Sequence, residues 1–236
     1  MNSLRIHSSP IRAAIVDLDG TLIDTLGDFV VAVNAMLREL GYAQVDRRFL
    51  EHTIGKGSEH LIRRTLAQVG APADAYDSAF ALYQRHYLAI NGQHAPIYPG
   101  VVEGLQRLRE LGLVLACLTN KPRPFVRPLL QVKGLEAYFA VVFDGDAFER
   151  KKPDPLPLLK TCEALGRAPS QTLMIGDSSN DAQAARAAGC PVVLVSYGYN
   201  HGEPVAAVDA DGVVERLDRI DLNAWPDAAA SSPQLL

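Results

Sequence analysis

Asp17 and Asp19 stand one residue apart at the end of the apolar run AAIV, and Gly20-Thr21 follows at once. Along an extended backbone, positions so spaced lie about 6 to 7 Å apart. Two like charges at a buried strand end are costly unless something offsets them. Asp177 and Asp181 stand in GDSSND, directly after a later apolar run, TLMI. If the two strands are neighbours, four carboxylates crowd one sheet edge. A hard divalent cation resolves that crowding, and a few carboxylates with a carbonyl and waters suit Mg2+. Asp181 also suits a helix cap.

A metal over carboxylates becomes a phosphate subsite when donors face it. Thr119 supplies a hydroxyl, and Asn120 and Gly20 supply backbone N–H groups in tight loops. Lys152 supplies a full charge, and Pro153 fixes the chain just after it. Transition-state charge on a transferring phosphoryl group spreads over its equatorial oxygens, which such a clamp meets. Lys121 and Lys151 read as solvated loop lysines. The acids can then divide the labour. Asp17, ionised against the metal, attacks phosphorus. Asp19, its pKa raised by anionic neighbours, carries the proton to and from the reacting oxygens. Thr21 holds the turn that places Asp19.

The elements that must position these residues are legible as alternation. AAIV (13–16), LVLACL (113–118), AVVF (140–143), TLMI (172–175), PVVLV (191–195) and GVV (212–214) are near-continuous apolar runs. Such runs suit strands buried on both faces of a parallel sheet. Helical stripes separate them: Leu105, Leu108 and Leu111 before Gly112; Leu158, Leu159, Cys162 and Leu165 after an Asp154 cap and Pro155; and the Ala-rich 181–189. This rhythm implies an α/β class fold, a doubly wound parallel sheet. From about Gly27 to Pro96 only helical stripes occur. The expected organisation is therefore a core domain of residues 1–26 and 96–228, a small α-helical cap domain of 27–95 inserted after the first strand, and a flexible tail at 229–236. Ligands of open parallel sheets bind at the carboxyl ends of the strands, where all four polar clusters fall.

Hydrophobic residues make up 48% and charged residues 21% of the 236, which excludes a wholly disordered chain. A net charge of −4 without a basic stripe argues against nucleic acid as partner. No apolar run reaches the roughly 18 residues of a membrane helix, and MNSLRIHSSPIR shows no secretory signal. Cys117, Cys162 and Cys190 match no zinc or disulfide spacing, so buried thiols in a reducing cytoplasm are expected. The expected partner is a small-molecule phosphate ester, and the expected state is monomer or homodimer.

DLDGTLIDT, TNK (119–121), KKPDP (151–155) and GDSSND (176–181) resemble, in order, the four motifs of the haloacid dehalogenase superfamily of phosphatases. The resemblance spans residues 15 to about 200 and implies a Rossmann-like core with a helical cap. It implies Asp17 as nucleophile, Asp19 as general acid/base, and Thr119, Asn120 and Lys152 as phosphate binders. It further implies Mg2+ held by Asp17, the Asp19 backbone carbonyl and Asp177, with Thr21 and Asp181 in support. SYGYNHGEPV (196–205) and TIGKG (53–57) resemble the bacterial phosphoglycolate phosphatases. For such a substrate Lys56 would supply the cation for the carboxylate, with His60, Arg63 and Arg64 nearby. A phosphatase of a sugar, amino-sugar or nucleotide phosphate, or a phosphomutase, remains an alternative on the same scaffold. A dehalogenase needs neither Asp19 nor a metal, and the intact motifs speak against a non-enzyme.

Overall fold

The computed structural model describes residues 10–222. The N-terminal stretch 1–9 and the tail expected at 229–236 lie outside the described residues. Six strands form one parallel sheet: β1 (Ala13–Val16), β2 (Val114–Leu118), β3 (Val141–Phe143), β4 (Thr172–Gly176), β5 (Val192–Val195) and β6 (Gly212–Val214). Their order is β3-β2-β1-β4-β5-β6, so each apolar run read from the sequence is a strand and β1 lies at the centre. Val16 is in register with Cys117 on one side and Ile175 on the other. The residues just beyond these three strands therefore converge on one edge.

Alternate residues of the sheet face opposite layers. Ala14, Val16, Leu115 and Cys117 pack with Leu105, Leu108, Val126 and Leu129. These last four come from α5 (Val101–Glu110) and α6 (Arg123–Val132). On the other side, Ala13, Ile15 and Met174 pack with Leu158 and Cys162 of α7 (Leu156–Leu165) and Ala185 of α8 (Ser179–Ala188). Two residues assigned to apolar stripes are instead exposed. Leu111 is the C-cap of α5 and has already turned away. Leu159 sits one residue off the buried 158–162–165 row of α7. The helix also starts one residue later than expected, though the Asp154 carboxylate still accepts from Leu156 N at 2.9 Å. Cys117, Cys162 and Cys190 are buried free thiols, the last two 3.9 Å apart between sulfurs.

The insertion is helical throughout: α1 (Leu26–Glu39), α2 (Arg47–Glu51), α3 (Ser58–Gln68) and α4 (Tyr76–Ile90). It has its own apolar core, in which Met36, Leu37, Leu61, Tyr83 and Tyr87 are buried. Phe125 of α6 and Tyr199 of the loop after β5 belong to that same core, so it is seated on the sheet domain. Asp28, fully buried at the start of α1, accepts from Gly92 N and His94 N and clamps the two chain crossings together. The Tyr199 hydroxyl joins the first crossing, donating to Asp24 at 2.8 Å and accepting from Leu26 N at 3.0 Å.

Candidate active site

Asp17 extends β1 by one residue, its N–H bonded to Ile175 O at 2.9 Å. Lys152 rises beneath it, almost fully buried. Its ammonium lies 2.9 Å from Asp17 Oδ1 and donates to Asp181 Oδ1 at 2.7 Å and Leu118 O at 3.0 Å. Asn120 fixes that lysine's backbone by a reciprocal amide pair: its Nδ2 donates to Lys152 O at 2.8 Å and its Oδ1 accepts from Lys152 N at 3.0 Å. The sequence assigned Asn120 a backbone role toward phosphate; its side chain is a strut between two loops, reaching Gly55 O of the insertion as well. The Thr119 hydroxyl accepts from Lys121 N at 3.2 Å and lines the cavity above Asp17.

Asp181 is both cap and anchor. With Ser178 it forms a capping box at the start of α8. Its Oδ2 accepts from Ser178 N and Oγ and Asp177 N, while Oδ1 holds Lys152. Asp177 accepts from Tyr199 N at 2.7 Å, and Thr21 Oγ1 lies 3.5 Å from its other oxygen. Thr21 thus ties the Gly-Thr turn to Asp177 rather than acting on Asp19 alone. Close approach at this turn needs glycine: a Cβ on Gly20, at φ +83°, would stand 2.3 Å from Asp177 Oδ2.

Carboxylate oxygens of Asp17, Asp177 and Asp181 lie within 4.8 Å of one another. Asp17 Oδ1 is buried, with the Lys152 ammonium at 2.9 Å as its close partner. Three clustered carboxylates facing one ammonium carry an excess of negative charge, which fits a hard divalent cation. Asp17 and Asp177 would hold it, since the oxygens of Asp181 are already engaged.

The charge distribution differs from the expectation that Asp19 is the crowded acid. Burial, with Lys152 opposing and Asp181 assisting, pushes Asp17 up to about 7. Burial, then Asp181 and Asp17, hold Asp177 well above the usual carboxylate range. For Lys152, burial alone would lower the pKa, but Asp17 and Asp181 outweigh it and raise it. The Asp19 carboxylate instead faces a cation. Lys121, expected to be a solvated lysine, is buried at 3% exposure with its ammonium 3.0 Å from Asp19 Oδ1. The same ammonium bonds the Tyr87 hydroxyl of α4 at 2.6 Å and lies 4.8 and 4.6 Å from the centres of the Phe29 and Tyr87 rings.

A stability prediction follows for the metal-free protein. Between roughly pH 4 and 7 the folded chain keeps protons on Asp17 and Asp177 that the unfolded chain has released. The unfolded state then binds fewer protons, so the free energy of unfolding falls as pH rises through that window. Thermal melts in EDTA should show a lower Tm at pH 7.5 than at pH 5.5, and added divalent cation should narrow the gap. A Tm that climbs with pH in EDTA would contradict the assignment of charge.

The cavity above Asp17 and Asp19 is closed by Ile54, Gly55, Gly57, Ser58 and Leu61 of the insertion and measures about 30 Å3. Lys56 does not line it. With Arg48, His52, His60 and Arg64 it borders a separate open groove on α2 and α3. Arg63 stacks on Tyr76, its guanidinium carbon 3.9 Å from the ring centre, away from both Asp17 and Asp19 linings.

A doubly wound parallel sheet carrying an acid pair, two buried lysines and a helical insertion at its carboxyl edge is the arrangement of a hydrolase of phosphate esters. The chain belongs to the haloacid dehalogenase-like hydrolase family, whose profile matches residues 14–195. It is 46% identical over 211 residues to a phosphoglycolate phosphatase of Thiobacillus denitrificans, covering 88% of this chain and 93% of that one. A phosphoglycolate phosphatase of Nitrosospira multiformis is 47% identical with the same coverage. Among solved structures, a predicted phosphoglycolate phosphatase from Haemophilus somnus superposes with a TM-score of 0.84 at 31% identity, covering 88% of this chain and 95% of that one.

Proposed function

We propose that the chain is a Mg2+-dependent phosphomonoester hydrolase acting through an aspartyl-phosphate, with 2-phosphoglycolate as its substrate. The carrying observation is the cluster of Asp17, Asp177 and Asp181 oxygens within 4.8 Å of one another, with the Lys152 ammonium 2.9 Å from Asp17 Oδ1. Mg2+, when bound to Asp17 and Asp177, would offset carboxylate and phosphate charge together. An Asp17 oxygen attacks phosphorus as the ester P–O bond breaks, and Asp19 gives its proton to the departing oxygen. Asp19 then takes a proton from water, whose oxygen attacks the aspartyl-phosphate and releases phosphate and restored Asp17. Lys152 and the Thr119 hydroxyl meet the oxygens of the transferring group.

Residues 27–95 would act as the cap over this chemistry, within a monomer or homodimer of the cytoplasm. The buried free thiols accord with that compartment. A small leaving group accords with the way Phe29, Ile54 and Leu61 border the space above Asp17 and Asp19. Values of kcat/KM for 2-phosphoglycolate, hexose phosphates and nucleoside monophosphates, with Mg2+ and with EDTA, test both halves. The first substrate should lead by at least about tenfold, and EDTA should abolish all turnover until Mg2+ is returned. A hexose phosphate in the lead would overturn the substrate, and full activity in EDTA would overturn the metal.

A further inference from the structure

Among the described residues lining the active-site cavity, Lys121 is the sole cation. We propose that Lys121, rather than Lys56, determines specificity by binding the carboxylate of the leaving group. The proposal rests on the phosphoglycolate phosphatase function above and names the residue that enforces it. Three features carry it. The first is position. Lys121 Nζ is 3.0 and 3.3 Å from the two oxygens of Asp19. Asp19 must meet the leaving oxygen at hydrogen-bond distance, and in 2-phosphoglycolate one methylene separates that oxygen from the carboxyl carbon. A substrate in reach of Asp19 is thus in reach of Lys121.

The second is valence. An ammonium has three N–H donors. The two oxygens of Asp19 and the Tyr87 hydroxyl take all three, and the contact to Asp19 Oδ2, at 3.3 Å the longest, is the one an incoming carboxylate displaces while Asp19 Oδ1 and Tyr87 keep the ammonium in place. The third is environment. Beside the polar Ser58, Thr119 and Asn120, the cavity is lined by Phe29, Ile54, Leu61 and Pro122, and among the described residues no second cation there competes for a carboxylate. A dry aromatic surround makes a cation there selective for an anion. Lys56, in contrast, borders the open groove with four other basic side chains.

Steady-state kinetics on the full chain with Mg2+ test this, comparing 2-phosphoglycolate with ethyl phosphate, which has the same carbon count and no carboxylate. Lys121→Met should lower kcat/KM for 2-phosphoglycolate by about 100-fold, chiefly through KM, and that for ethyl phosphate by less than about tenfold. Lys56→Ala should leave the ratio of the two substrates within about threefold of its starting value. Equal losses on both substrates in Lys121→Met would show that Lys121 merely orients Asp19, and the proposal would fall. If the methionine variant does not fold, Lys121→Gln is held to the same split. A wild-type enzyme with no preference for 2-phosphoglycolate would instead remove the underlying function, and this proposal with it.

Discussion

Asp17→Asn is expected to leave a folded protein whose kcat is reduced by at least about 10^4-fold, in line with removal of a nucleophile in a concerted site. The amide keeps the shape of the side chain but cannot attack phosphorus. Folding should survive because Asp17 is an energetic burden in the empty site. Burial pushes it up to about 7 even with Lys152 beside it. Removing one of three clustered carboxylates relieves Asp177 and Asp181 of a like charge. Thermal melts in EDTA at pH 7.5 should therefore put the variant at or above the parent. Activity within tenfold of the parent in a clean preparation would exclude the covalent route. A collapsed Tm with the same loss of activity would instead make Asp17 a structural residue.

Lys152→Met should lose both activity and stability. The ammonium is paired with both Asp181 and Asp17, and among the described residues no other cation pairs with either. Taking it away leaves two buried carboxylates uncompensated, a change that costs roughly 3–5 kcal/mol. Leu118 O loses a donor at the same time. Loss of one charge at the phosphoryl oxygens should lower kcat by about 10^2- to 10^3-fold. Denaturant melts separate the two effects, because the stability deficit should shrink as pH falls and the stranded carboxylates protonate. A variant as stable as the parent at pH 7.5 would mean that Lys152 serves phosphate alone.

Much of this was legible in the sequence because buried parallel strands are written as continuous apolar runs. AAIV, TLMI and PVVLV could hardly be anything else, and their ends located Asp17 and Asp177. Sheet order was not legible, since nothing in a run says which strand neighbours it. It is the flanking of β1 by β2 and β4 that brings Thr119, Asp177 and Asp181 to Asp17, while Lys152 reaches it from the segment after β3. Lys121 was misread as solvated. A signal existed: Pro122 follows Lys121 just as Pro153 follows Lys152, and only the second pair was weighted. Its partners Phe29 and Tyr87 lie 92 and 34 positions away in the chain, beyond any local pattern. Lys56 enters through the resemblance of TIGKG and the need of a carboxylate for a cation, but neither says which side of the loop its side chain takes. Tyr199, which binds Asp177, Asp24 and Leu26, lies in a segment noticed only by resemblance.

Under the proposed function, the insertion seated over the cavity works as a door. Gly55 O is held by Asn120 and Asn180, and Tyr87 is held by Lys121, so the closed door is latched at the chemistry itself. Under the proposed function, exchanging spent product for a new ester means breaking these contacts, so the chain crossings around Asp24 and His94 bear on turnover as well as the bond-making atoms. Thickening the solvent with sucrose would slow such an enzyme as it slows a door in syrup.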